Sequence, residues 1–147
     1  MNKIILIIFT FFLNFYFSQQ SVYNQMEKLQ GIWEGRDGND IIKFEINKSG
    51  KNDFLFSFIN FQGEKFLINK EKISENNQKE LIIEIKEAKF SSYRYEKCLF
   101  TKGEIIISNS SENQFSLSLN SVGPKCFLTY DVIMTMDDIK DILMTKK

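Results

Sequence analysis

The chain has no histidine, and that absence narrows its chemistry sharply. It removes the commonest general base, the Ser-His-Asp and Cys-His arrangements, and the usual zinc ligand. Carboxylate, tyrosine or lysine chemistry remains, and no such pair stands out; Cys98 and Cys126 are too far apart in sequence and too few to build a structural zinc site alone. Asp37 and Asp40 flank Gly38, but they lack the ligand spacing and closing glutamate of a calcium loop; a tight turn accounts for them. Asp137-Asp138 reads as a helix cap, not as a paired acid and base. Glu45, Glu84 and Glu96 fall on polar strand faces. Gly35, Gly38, Gly50, Gly63 and Gly103 stand singly, so there is no phosphate-cradling loop. The residues argue against an enzyme, and neither a cofactor nor a metal is expected.

Nineteen basic and nineteen acidic residues balance. No basic stripe offers a footprint for nucleic acid. The amino end has the form of a secretory signal. Met1-Asn2-Lys3 is a short positive start, Ile4 to Phe17 is apolar except for Thr10 and Asn14, and Ser18 precedes Gln19-Gln20. The run is shorter than the ~20 residues of a membrane-spanning helix. Residues 1–18 are therefore expected to be removed, leaving one domain over 19–147 with no transmembrane span, periplasmic or secreted. In such a compartment the two cysteines are expected to pair, closing a loop of about 29 residues that stabilises the fold by about 3–4 kcal/mol. Two buried free thiols are the alternative.

The elements that would position these residues are mostly strands. Val22, Met26 and Leu29 have helical spacing, which predicts a short helix from Val22 to Gln30, capped by Ser21 and stopped by Gly31. Thereafter the period is two. Ile42, Phe44 and Ile46 alternate with polar residues, as do Phe115, Leu117 and Leu119; Leu81, Ile83 and Ile85 repeat the spacing. Phe54–Phe61 is apolar on both faces. Further strands are expected at Lys65–Ile73, Tyr93–Thr101, Glu104–Ser108 and Cys126–Thr135, with a polar loop at 74–79 and a turn at Lys102-Gly103. Asp137 would cap a C-terminal helix carrying Ile139, Ile142 and Leu143. The result is an all-β, 8–9 stranded antiparallel meander with short N-terminal and C-terminal helices. Regular hairpin spacing favours closure into a barrel over a sandwich.

Leu29-Gln30-Gly31-Ile32-Trp33-Glu34-Gly35 resembles the glycine-any-tryptophan signature that opens lipocalin-like, calycin-type barrels. The resemblance extends to the small exported lipocalin-like bacterial proteins of unassigned function. It implies that Gly31 and Trp33 begin the first strand and that Trp33 plugs the closed end. In that family an arginine stacks on the tryptophan. The only arginines here, Arg36 and Arg94, give no clear match.

Ten of the fifteen phenylalanines lie beyond the signal segment. In a barrel of this size they either fill the interior or wall a small cavity. Two functions follow. The first is an exported barrel that takes a small apolar ligand or lipid, with Phe44, Phe56, Phe58, Phe115 and Tyr130 as the contacting residues. The second is a protein-interaction module, such as an inhibitor or immunity protein, acting through exposed loops at Ser74–Lys79 or Arg36–Asp40 on a protein partner.

Overall fold

Period-two alternation builds the wall of a closed barrel. The computed structural model describes residues 19–50, 53–61, 63–92, 98–120, 126–129, 132–134 and 137–147, the last two short stretches before 137 by backbone alone. A helix, α1, covers 19–28, so Ser21 lies inside it and does not cap it. The strands are β1 (Gly31–Asp37), β2 (Asp40–Lys48), β3 (Phe54–Phe61), β4 (Glu64–Glu75), β5 (Leu81–Phe90), β6 (Leu99–Phe100), β7 (Glu104–Ser108), β8 (Gln114–Asn120), β9 (Cys126–Thr129), β10 (Val132–Met134) and β11 (Ile139–Lys146). All pairings are antiparallel. β1 lies between β2 and β11, and the β4–β5 pairing closes the ring. Eight strand positions form the barrel, because β6 and β7 occupy one of them.

The expected alternation is seen where it was cleanest. Ile42, Phe44 and Ile46 are buried on β2, and Phe115, Leu117 and Leu119 on β8. Phe54, Phe56 and Phe58 face inward on β3 while Leu55 is exposed. A bulge between Phe58 and Phe61, with Asn60 at φ 55°, then returns Phe61 to the core.

Four further expectations are corrected. The segment carrying Ile139, Ile142 and Leu143 is not a helix but β11, the strand that joins β8 to β1 and completes the barrel. A bulge between Ile139 and Ile142, with Asp141 at φ 51°, inserts a residue there. The inserted residue turns an inward spacing of two into three, which imitates a helical period. Lys102-Gly103 is not a hairpin turn. Phe100 lies opposite Ala88 and Glu104 opposite Glu84, so β6 and β7 run along β5 in one unbroken register, interrupted where Lys102 takes φ 62°. The Cys126–Thr135 segment is not one barrel strand: β9 and β10 pair with each other in a separate two-stranded sheet. β4 also runs on to Glu75, beyond the expected loop start. Residues 1–18, Tyr93–Lys97 and Tyr130 lie outside the described residues.

Glycine is required at two points on β1. Gly31 has φ +127°, which disfavours any side chain. At Gly35 a Cβ would fall 2.6 Å from Ile142 Cγ2 and Met144 Sδ and 2.7 Å from the Leu143 carbonyl. β11 can close against β1 only because position 35 is bare.

Candidate functional site

Cross-strand register assembles the interior. On one inward row Trp33 faces Phe44, Phe44 faces Phe58, Phe58 faces Phe66 and Phe66 faces Phe90, across β1 to β5. The rings touch: Phe44–Phe58 and Phe66–Phe90 centroids are 4.9 Å apart, and Phe58–Phe66 6.5 Å. Phe115 reaches from β8 to within 4.4 Å of Trp33. The opposite wall is aliphatic, with Leu81, Ile83, Ile105, Ile107 and Leu117 almost fully buried. Of the residues expected to touch a ligand, Phe44, Phe58 and Phe115 are fully buried and Phe56 is 2% exposed. Phe44, Phe56 and Phe58 form one contiguous group, in which Phe44 stacks on Phe56 at 6.1 Å. Phe115 is packed on Trp33, and Tyr130 lies outside the described residues. Each buried ring contributes roughly 1.5–3 kcal/mol by removal from water, and ring pairs add a further 0.5–1.5 kcal/mol or so.

Helix α1 covers one end. Val22 and Met26 enter the core from it, and Leu29 from the turn that follows. Trp33 Nε1 donates to the Leu29 carbonyl at 2.8 Å, a buried bond that satisfies an orphan carbonyl at the helix's end. Lys146 Nζ stands 5.3 Å over the Trp33 ring and donates to the Lys28 carbonyl at 3.4 Å. The tryptophan is thus covered by a cation, a lysine from the last strand, which the two arginines gave no reason to expect. Further ties fasten the helix to the wall: Lys48–Glu27 at 2.6 Å and Gln25 to Glu75 at 3.1 Å. The Lys48 ammonium holds the Glu27 carboxyl below its usual range, and Glu27 with Tyr23 raises Lys48. Lys147, ahead of Lys43, lowers Glu34. On the outer face Lys65 and Ser57 both donate to Glu45 and lower it, and Lys70 and Ser49 do the same for Asp53.

The clefts lie at the ends. At the helix end one of about 480 Å³ runs between α1 and the β4–β5 and β7–β8 turns, bordered by Lys28, Lys79, Glu75 and Glu112. Residue 79 belongs to the Ser74–Lys79 stretch expected to bind a partner. At the other end a cleft of about 390 Å³ is rimmed by Asp37, Asp40, Asp137 and Asp138 over a floor of Ile42, Phe61 and Ile139. Topology therefore gathers the two aspartate pairs that sequence reading treated separately. Among the described residues no three acidic or cysteine side chains group closely enough to hold a metal ion, and every buried side-chain polar atom has a partner.

Cys98, just before β6, is buried at 1% exposure, and among the described residues there is no free cysteine. Cys126 begins β9, and its side chain lies outside the described residues. Among the described residues no helix is long and apolar enough to cross a membrane. No family model, no curated protein and no solved structure matches this chain.

Proposed function

We propose that this chain is an exported, non-enzymatic barrel of the lipocalin-like, calycin type, and that it works as a protein-binding module through the loops at its ends. The observation that carries this reading is the inward row Trp33-Phe44-Phe58-Phe66-Phe90, in register along β1 to β5, with ring contacts from Phe44 to Phe90 and with Phe115 of β8 packed on Trp33. In support, buried aromatic and aliphatic side chains converge on the interior from both walls, while the clefts recorded above are polar-rimmed and lie at the ends. The calycin reading is supported by Gly31 and Trp33 at the start of β1, the helix before them and the cation over the ring. Export is supported by the apolar run at residues 4–17 and by the absence of a free cysteine among the described residues, consistent with a Cys98–Cys126 disulfide.

The test is chemical cross-linking in the native envelope followed by capture of the chain. A stoichiometric protein partner, lost on loop substitutions at Asp37 and Asp40 or at Lys79, is expected. Capture that is indifferent to both loops would sink the reading. A second reading, a small apolar ligand held among Phe44, Phe56, Phe58 and Phe115, draws on the wholly apolar character of those interior positions. It requires the rings to part, and displacement of an environment-sensitive dye by fatty acid would support it.

A further inference from the structure

In the exported chain proposed above, removal of residues 1–18 makes Gln19 the first residue. A glutamine at an amino end carries its own electrophile, because N, Cα, Cβ, Cγ and Cδ close an unstrained lactam ring. Gln19 opens α1 and is exposed. It borders a cleft of about 300 Å³ with Tyr23, Phe54, Lys70 and Ile73. Val22 and Tyr23 stand three and four residues on, so they share its face of the helix. The next glutamine is held, since Gln20 Nε2 donates to Asn24 Oδ1 at 3.0 Å. Among the described residues none bonds the Gln19 side-chain amide, which leaves it able to turn back on its own nitrogen. Charge favours closure here. An α-ammonium on Gln19 would stand at the positive end of the α1 dipole. It would also enter a cleft that already holds the Lys70 ammonium, paired with Asp53.

We propose that Gln19 is a modification site, converted after export to an N-terminal pyroglutamyl residue that seats α1 with an uncharged end. The proposal rests on the export reading above. The α-amine nitrogen attacks Cδ, the Cδ–Nε2 bond breaks, and ammonia leaves with the proton that the amine gives up. Nothing is oxidised or reduced, and no co-reactant is consumed. α-Amines titrate at about 8, so a neutral, nucleophilic fraction is present near neutral pH. The product has no amine for an aminopeptidase to hold and no charge against the dipole. It thereby protects, from its first residue, the helix that sends Val22 and Met26 into the core.

The experiment is peptide mass spectrometry on the full chain, expressed with residues 1–18 in an exporting bacterial host and purified from its envelope fraction. The amino-terminal peptide is expected to begin at residue 19, to be lighter than the unmodified peptide by one ammonia, and to resist aminopeptidase. Gln19→Ala cannot close the ring and keeps its amine. Its α1 amides are expected to exchange about two- to fivefold faster than those of the unaltered chain near pH 7. That difference should vanish above about pH 9, where the amine is neutral. A chain that begins at residue 19 with the glutamine open would overturn the modification and leave export standing, as would a start at any other residue beyond 18. A chain that keeps residues 1–18 would overturn both. Equal α1 exchange in the two chains would overturn the seating of the helix by its uncharged end.

Discussion

The two ends of the barrel are built on different principles. At the helix end, α1, Trp33 and the C-terminal residues interlock: Trp33 caps α1, Lys146 covers Trp33 and reaches the Lys28 carbonyl, and the Lys147 amide donates to the Ile32 carbonyl at 3.0 Å. The connections there are short turns, such as 76–80, where Asn76 accepts from Gln78 and Glu80 through its side chain. At the other end the tight β1–β2 and β3–β4 turns and the segment before β11 surround a cleft rimmed by four aspartates. Buried packing at one end and exposed charge at the other are the signatures of a structural plug and of a recognition surface. Substitutions in the interior and in the α1–Trp33 interlock should cost stability, while those at the exposed loop positions Asp37, Asp40 and Lys79 should cost binding.

That contrast breaks most visibly through the interior. Phe58→Ala removes the ring that touches Phe44, Phe61 and Phe66 and is expected to destabilise by about 3–5 kcal/mol in urea unfolding. A loss below about 1 kcal/mol would mean that the row is loosely packed. Gly35→Ala forces a methyl against the Leu143 carbonyl and two side chains, with an expected cost of about 1–3 kcal/mol, read by the same unfolding curve. Lys146→Gln removes the cation over Trp33. An expected loss of about 0.5–1 kcal/mol, with a shift in tryptophan emission, would separate covering the ring from merely neighbouring it. By contrast Asp37→Asn and Asp40→Asn are expected to change stability by no more than about 0.5 kcal/mol while weakening capture of the partner.

The smallest effect is the pH response. Glu27, Glu34, Glu45 and Asp53 all have folded-state values lowered by lysine partners. Their contribution is present above the unfolded carboxylate range and is lost as pH falls through the lowered values. Lys48 and Lys72 are raised by Glu27 and Glu84, so their contribution holds below the ordinary lysine range and fades above it. With no histidine between these limits, the urea midpoint is expected to be flat from about pH 5 to 9 and to drop below about pH 4. A step near neutrality would point to a titrating group outside this set.

How much of this was legible in the sequence follows from which forces are local. Ile42-Phe44-Ile46 and Phe115-Leu117-Leu119 announced their strands because alternation is a property of consecutive residues. The row from Trp33 to Phe90 was not legible, because it is made by register between strands and not along any one of them. The C-terminal strand was misread for a definite reason. The bulge at Asp141 spaces Ile139 and Ile142 by three, and only pairing with Leu119 and Leu117 shows that both belong to one strand. The barrel's closing strand thus carries a helix-like spacing, while β9–β10, which alternates like a strand, lies in a separate sheet. Lys146 over Trp33 joins residues at opposite ends of the chain, beyond any local pattern. The acidic cleft was half legible: both aspartate pairs stood out, but only closure of β11 beside β1 brings them together.

Trp33 itself gives the most direct test of the central claim that the interior is packed and the ends do the binding. It is the only tryptophan, is fully buried and lies against Phe115, so anything entering the barrel alters its emission. Titration of the chain with a long-chain fatty acid is expected to leave Trp33 fluorescence unchanged. A saturable, one-to-one quench or shift would contradict the account and place an apolar ligand among the rings.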